Sequence, residues 1–121
     1  MKHLFLPYAI ALALKEKGFK EDCIAHYSFS GGEPTITTNP RDFNYLPDDG
    51  QPISAPLYQQ AVDWFEKKHG LFLCVEHGGK VNGTYKHDVV IWGRTSVSMR
   101  GFTSTETAWE KAILKALTLI K

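Results

Sequence analysis

The spacing of apolar residues along the chain predicts three amphipathic helices. Helical periodicity is expected at about 7–17, 56–69 and 105–120. The first helix begins at a proline and stops before Gly18, both favoured choices at those positions, and Phe19 is expected to fold back onto its last turn. The third helix follows Thr-Ser-Thr-Glu at 103–106, which has the spacing of a capping box.

Between the helices, apolar runs bounded by turn residues predict two β-hairpins and one further strand. The expected strands span 23–29, 35–38, 71–76, 85–92 and 95–99. A turn at 30–33 joins the first pair, a glycine-rich loop at 78–83 joins the second, and Pro34 indicates an edge strand. The order α-β-β-α-β-β-(β)-α therefore predicts an α+β fold, with a mainly antiparallel sheet from two hairpins and three helices on one face.

An irregular, proline-rich loop is predicted at about 39–56. Five of the six prolines fall between Pro34 and Pro56. A stretch of this length without regular structure is uncommon in a small domain and is usually functional. The chain has 121 residues, of which 43% are apolar and 22% charged, and this composition predicts one α+β domain spanning 1–121.

The overall charge gives no reason to expect nucleic acid or a membrane as a partner. Lys and Arg number 14, Asp and Glu number 13, and the net charge is +1. The apolar stretch 4–14 is much shorter than the ~20 residues of a membrane span. It also runs into charged residues without a small-residue cleavage site. With only two cysteines, the sequence predicts a cytoplasmic protein in a reducing compartment.

Two Cys-x-x-His sequences are weak candidates for a metal site. They are Cys23 with His26 and Cys74 with His77, and two cysteines with two histidines could complete a tetrahedral zinc site. Residues three apart on a strand point to opposite faces, however, so one strand cannot direct both ligands at one ion. We therefore expect neither a metal nor another cofactor, with the thiols buried and the histidines at the surface.

The sequence contains no convincing catalytic arrangement, and an enzyme is not expected. The second hairpin could bring His77, His87 and Asp88 together. Adjacent residues on a strand face opposite ways, however, so His87 and Asp88 cannot act as one acid–base pair. Both cysteines lie among apolar residues instead of in the polar pocket that a reactive thiolate needs. The glycines near Lys80 join two strands and do not form a phosphate-binding loop.

The proline-rich loop and the start of the second helix carry the candidate binding residues. Aromatic side chains beside charges are common at binding surfaces. The alternative is that aromatic residues such as Phe43 and Tyr45 pin the loop to the core. The candidate ligand- or partner-binding residues are Arg41, Phe43, Tyr45, Asp48, Asp49 and Tyr58.

Two helical segments resemble a known group of proteins. LPYAIALALKEKGF at 6–19 and SAPLYQQAVDWF at 54–65 are similar to segments of small uncharacterised proteins from phages, prophages and mobile elements of Bacteroidetes, and the closing helix at 106–121 is similar to theirs as well. The resemblance implies a phage-derived accessory protein that acts inside a bacterial cell. It transfers no catalytic or binding residue.

The sequence supports three hypotheses for the function. The leading one is a non-enzymatic binding or interaction protein, which acts as a monomer or homodimer on a protein partner or a small ligand. The second is a ligand-binding or enzyme domain with a pocket at the 39–58 loop. The third is RNA binding through the second half, whose element order is similar to that of double-stranded RNA-binding domains. The last helix opens at 104–107 without the lysines that such domains place against phosphates.

Overall fold

The computed structural model describes residues 4–28, 31–44 and 52–120. Within these residues, the chain forms three α-helices and two three-stranded antiparallel sheets, which confirms the predicted α+β class and antiparallel hairpins. The chain divides into two compact units, Met1–Ala61 and Val62–Lys121. The two hairpins lie in separate sheets because each acquires its own third strand. None of the described helices is long and apolar enough to cross a membrane.

The N-terminal unit contains one helix and three strands. Its elements are α1 (Tyr8–Glu16), β1 (Cys23–Ser28), β2 (Gly31–Arg41) and β3 (Ile53–Ser54). β1 lies between β2 and β3, so β2 is an edge strand, as Pro34 predicts. Residues 29 and 30, at the predicted end of the first strand and start of its turn, lie outside the described residues.

The sequence predicts that the proline-rich segment is irregular from 39 to 56, but β-strand residues occupy both of its ends. β2 is longer than the predicted 35–38 and continues to Arg41, and β3 lies within the predicted loop. The physical reason is that the backbone groups along the second edge of β1 need hydrogen-bond partners. Ser54 pairs with His26 there, and Ile53 pairs with Tyr27. A pairing that joins two residues to a distant strand leaves no local sequence pattern.

Helix α1 ends as the sequence predicts. The N–H of Gly18 donates to the carbonyl of Lys15 at 3.1 Å, and Gly18 has φ +92. The N–H of Phe19 donates to the carbonyl of Leu14 at 3.0 Å. These two bonds form a Schellman motif, in which glycine adopts a backbone conformation that a Cβ would strain. Phe19 is fully buried, so it folds back onto the helix.

The core of the N-terminal unit lies between α1, β3 and the inward side of β1, whose alternate residues are buried. Tyr27 joins these elements because its hydroxyl donates to the carbonyl of Leu6 at 2.6 Å. Its ring also meets the ring of Tyr8 edge-on, with centres 5.6 Å apart. The buried cluster comprises Phe5, Ala11, Ala25, Tyr27, Ile53 and Ala55.

The boundary between the two units falls inside α2 (Tyr58–His69). The C-terminal unit then continues through β4 (Phe72–Val81), β5 (Thr84–Trp92), β6 (Val97–Phe102) and α3 (Thr105–Leu119). β5 is the central strand of this sheet. The last strand exists as predicted, but it is shifted towards the C-terminus from the expected 95–99.

The second hairpin is tighter than the loop predicted at 78–83. Its strands continue until only Asn82 and Gly83 remain as the turn, with φ +50 and +80. Two positive φ values are typical of a type I′ turn, whose twist matches that of the strands. The two glycines before this turn lie in a β-bulge, where the strand register shifts between His77 and Lys80. The glycines that suggest a loop therefore serve a bulged strand.

Helix α3 packs against β4 and β5. The sheet face that carries Leu73, Val89 and Ile91 is buried, and strand alternation places these residues on one side. The helix contributes five buried residues, which recur at helical spacing: Ala108, Ala112, Ile113, Ala116 and Leu117. The predicted apolar stripe of the third helix is therefore its packed face.

Ser104 caps the start of α3. Its Oγ accepts a hydrogen bond from the N–H of Thr107 at 3.0 Å, and its backbone is extended. The expected capping box starts at Thr103 and is therefore displaced by one residue. The helix begins at Thr105, so the N–H that a cap satisfies belongs to Thr107 instead of Glu106.

Candidate functional site

The structure brings two of the predicted binding residues together at the end of β2. Arg41 is exposed, and its guanidinium carbon lies 5.2 Å from the centre of the Phe43 ring. The ring of His26 lies 4.5 Å from the same ring. Phe43 itself is only 8% exposed. It therefore anchors the chain at the start of segment 45–51.

Two buried polar residues, Asn44 and Ser54, lie on either side of that segment in the chain and are hydrogen-bonded to each other. Asn44 Oδ1 accepts the N–H of Ser54 at 2.9 Å, and Asn44 Nδ2 donates to the carbonyl of Phe19 at 2.9 Å. Ser54 Oγ accepts the N–H of Phe43 at 3.0 Å. These bonds replace the water that burial removes from each polar group. The arrangement holds together the residues that lie on either side of segment 45–51 in the chain.

The other predicted binding residues are distributed along the same half of the chain. Tyr45, Asp48 and Asp49 lie outside the described residues. Tyr58 is the first residue of α2 and is half-buried. Of the predicted set, the structure thus brings Arg41 into contact with Phe43.

The N-terminal Cys-x-x-His pair is divided between the two faces of β1. Cys23 lies on the buried face, whereas His26 lies on the other. Burial raises the pKa of the Cys23 thiol to about 11, and nearby carboxylates, first among them Asp42, also raise it, against a hydrogen bond with Ser54 that lowers it. The thiol therefore stays protonated at neutral pH, where it is not activated as a nucleophile.

The second Cys-x-x-His pair is divided in the same way. Cys74 is the cross-strand partner of Val90, and His77 is the partner of His87. Because Cys74 and His77 are an odd number of positions apart on a strand, their side chains point to opposite faces. Both cysteines of the chain are free thiols. Among the described residues, no group of three or more His, Cys, Asp or Glu side chains could hold a metal.

The sheet of the C-terminal unit has one face that α3 does not cover. Phe72 and Trp92 are direct cross-strand partners on this face, and they are 49% and 53% exposed. Two further cross-strand pairs follow along the same face. We call this surface the outer face, and it comprises Phe72, Cys74, Glu76, Asp88, Val90 and Trp92.

Asp88 connects the three strands of the outer face. Its Oδ1 accepts the N–H of Gly101 on β6 at 3.2 Å. Its carboxylate also lies over Gly78 on β4, where an added Cβ would come within 2.7 Å of Oδ1. His87 is adjacent to Asp88 on β5 and belongs to the opposite face, so the two side chains point away from each other.

On the face opposite the outer face, the hairpin end carries a row of aromatic and basic side chains. We call it the hairpin row, and it consists of His77, Lys80, Tyr85 and His87. The ring centres of His77 and Tyr85 lie 5.1 Å apart, and those of His77 and His87 lie 6.1 Å apart. Lys80 Nζ lies 5.5 Å from the centre of the Tyr85 ring. These contacts hold Tyr85, which is 56% exposed, in an ordered position.

A cavity of about 380 Å³ lies in the C-terminal unit where α2 and α3 end. None of the predicted binding residues lines it. Arg94 supplies a positive charge to its wall, and His69 also lines it. The C-terminal ends of helices carry partial negative charge from their last carbonyl groups. A positive charge such as that of Arg94 is therefore favourable in this wall.

No family model, curated protein or solved structure matches the chain. The fold alone therefore defines the class of protein. The chain is a small α+β protein of two compact units, each with a three-stranded antiparallel sheet. Its function has to be inferred from its exposed faces.

Phe72 and Trp92 are two exposed residues that the sequence pattern does not single out. Each stands beside a residue of the buried face, Leu73 or Ile91. Once those two are assigned to the core, strand alternation places Phe72 and Trp92 outside. Their pairing also needs the register of the hairpin. The loop predicted at 78–83 is too long, so the register predicted from it does not pair Phe72 with Trp92.

Proposed function

We propose that the protein is a non-enzymatic binding protein and that it contacts a partner protein through the outer face. The observation that carries this proposal is the cross-strand pair of Phe72 and Trp92, each about half exposed on a sheet face that α3 does not cover. Exposed aromatic surface gains free energy when another surface removes it from water.

The position of the two rings favours their use as binding anchors. Both are held on paired strands, so binding immobilises little that is not already ordered. Tryptophan is enriched at the energetic centres of protein interfaces. Cys74 and Val90, which are half-buried beside the pair, extend the apolar area along the strands. The outer face therefore has an apolar area at the end where β4 begins and β5 finishes.

The charges beside this apolar area favour a protein over a nucleic acid. Glu76 and Asp88 are direct cross-strand partners. Strand alternation places Lys86 and Arg100 on the same face. Acidic and basic groups in equal number give no net attraction for phosphates. Apolar surface bordered by charges of both signs is typical of protein–protein interfaces.

We also propose in which kind of cell and in which compartment the protein acts. The helices resemble those of small proteins from phages and mobile elements. On that resemblance alone, we propose an accessory role in the cytoplasm of a bacterial cell. The partner would then be a bacterial or phage protein, or a second copy of this chain.

Native mass spectrometry of the untagged protein, purified gently from a bacterial host, tests the proposal. We expect the chain to carry a partner protein in a fixed ratio. The double variant Phe72→Ser/Trp92→Ser is expected to lose that partner. Ile36→Ser is the matched control, because Ile36 is 50% exposed in the N-terminal unit.

Three results would contradict the proposal. The double variant would retain the partner if another surface binds it. The wild-type chain would remain bare if no protein binds. Turnover of a substrate by the pure protein would contradict a non-enzymatic role. Circular dichroism of each variant checks that any loss of binding is not a loss of folding.

A second candidate function is RNA binding through the C-terminal unit. One observation favours it: α2, the three consecutive strands and α3 follow each other in the order of double-stranded RNA-binding domains. The first turn of α3 carries Glu106 and no lysine, which is unfavourable beside phosphates. Titration with a short RNA duplex at about 50 and 200 mM salt tests this function, because phosphate contacts predict a steep loss of affinity with salt. Binding that does not weaken would reject it.

A further inference from the structure

The two histidines of the hairpin row occupy directly opposed positions on neighbouring antiparallel strands. His77 on β4 pairs with His87 on β5, and their ring centres lie 6.1 Å apart. His77 is exposed and His87 is half-buried. Neither imidazole hydrogen-bonds to a described residue. The ring nitrogens are therefore available to an external ligand.

We propose that His77 and His87 form a two-histidine chelate for a divalent late transition-metal ion, with Zn²⁺ as the test case. Directly opposed residues of an antiparallel pair have Cβ atoms about 4.5–5.5 Å apart. Small rotations of the two side chains can then bring one nitrogen of each ring to about 2 Å from a common ion. The pairing of the strands fixes the spacing that a chelate needs.

The donor set determines the class of ion. Imidazole nitrogen suits Zn²⁺, Cu²⁺ and Ni²⁺, whereas Ca²⁺ and Mg²⁺ require oxygen ligands. Glu76 and Asp88 lie on the outer face and cannot reach an ion on the hairpin row. The described residues therefore supply two protein ligands to the ion. Water or a group from another molecule completes the coordination.

The surrounding charges predict that binding is weak and exchangeable. Lys80 lies on the same face and its Nζ is close to the Tyr85 ring. A positive charge there opposes the ion, although solvent screens it at an exposed site. Replacement of this charge by Lys80→Gln should therefore strengthen Zn²⁺ binding severalfold. Such a result separates a site at the hairpin row from adventitious binding elsewhere.

Isothermal titration of the untagged full chain with Zn²⁺ at pH 7.5 tests the proposal. All proteins carry His3→Ala, so that a histidine outside the described residues does not contribute. We expect His77→Ala and His87→Ala each to weaken binding by at least about tenfold, because the loss of a ligand should cost no less than the loss of a supporting contact. His69→Ala is the matched control and should bind as the parent does.

The double variant His77→Ala/His87→Ala retains neither ligand and should show no Zn²⁺ binding at this site. NMR of the parent provides a readout independent of the variants, since the signals of both imidazoles should shift together on addition of Zn²⁺. No Zn²⁺ binding, equal binding by parent and double variant, or a shift of one imidazole alone would overturn the proposal.

Discussion

Asn44 Oδ1 accepts a hydrogen bond from the backbone N–H of Ser54 at 2.9 Å. The same side chain donates to the carbonyl of Phe19 at 2.9 Å. One buried amide thus connects Phe19, which follows Gly18 at the end of α1, with Ser54 on β3. Asn44 itself immediately precedes segment 45–51 in the chain. Because these groups are withdrawn from solvent, water cannot readily replace the bonds if the amide is removed.

We expect Asn44→Ala to lower the free energy of unfolding by about 3 kcal/mol, since it leaves the N–H of Ser54 and the carbonyl of Phe19 buried without partners. Denaturant unfolding followed by circular dichroism measures this loss. Asn39→Ala is the matched control, because Asn39 is exposed on β2. It should change the free energy by less than about 0.5 kcal/mol. Equal effects of the two substitutions would show that the amide network does not carry the stability assigned to it.

The sequence predicts the parts of this fold that depend on neighbours in the chain. The end of α1 is an example, because Gly18 and Phe19 act on carbonyls in the same helix turn. Helix α3 is another, since its apolar stripe is both the sequence signal and the packed face. β3 is different because its two residues become a strand only when they meet β1. The Asn44 network is equally non-local.

The candidate surfaces were less predictable than the helices. Glycines at 78 and 79 suggest a loop by composition, yet a bulge places them inside a paired strand. That error of register hides the cross-strand pair of Phe72 and Trp92. Exposure of a side chain also depends on which sheet face a helix covers. Strand alternation alone does not provide that information.

The buried thiol of Cys23 predicts a loss of stability at alkaline pH. Burial raises its pKa from the ordinary value of 9.0 to about 11. Between these values the unfolded chain releases a proton that the folded chain retains, so the free energy of unfolding falls as pH rises. The contribution is fully present below about pH 9 and is lost through about pH 11, and it amounts to roughly 3 kcal/mol.

Cys23→Ala should flatten this part of the stability profile, although its stability at pH 7 is also lower because a small cavity remains. Urea unfolding at several values between pH 8 and pH 11 gives the slope. Burial also raises the pKa of Tyr27, so Tyr27→Phe serves as the comparison. It should remove the tyrosine contribution and retain that of the thiol. The same slope in Cys23→Ala and the wild type would mean that other groups cause the alkaline loss.

The cap of α3 distinguishes the observed helix start from the capping box that the sequence suggests. Ser104→Ala removes the acceptor of the Thr107 N–H and should destabilise the chain by about 1 kcal/mol. Thr103→Ala should have almost no effect, because Thr103 is exposed and precedes the cap. Thermal unfolding of the two variants decides between the positions. A larger loss in Thr103→Ala would support the capping box that the sequence suggests, which begins at Thr103.

The close approach of Asp88 to Gly78 predicts that these two positions are coupled. A Cβ at residue 78 would lie 2.7 Å from Asp88 Oδ1. The carboxylate can move aside, but it then loses the hydrogen bond from the N–H of Gly101. We therefore expect Gly78→Ala to cost about 1 kcal/mol, which is the usual net value of such a bond.

The same substitution in an Asp88→Ala background is the matched control. The obstacle is then absent, and alanine in a strand restricts the unfolded chain more than glycine does. Gly78→Ala should thus be neutral or stabilising by up to about 1 kcal/mol in that background. The double-mutant cycle, measured by urea unfolding, should give a coupling energy of at least about 0.5 kcal/mol. If Gly78→Ala costs the same in both backgrounds, the carboxylate does not control this position, and the bulge itself requires the glycine.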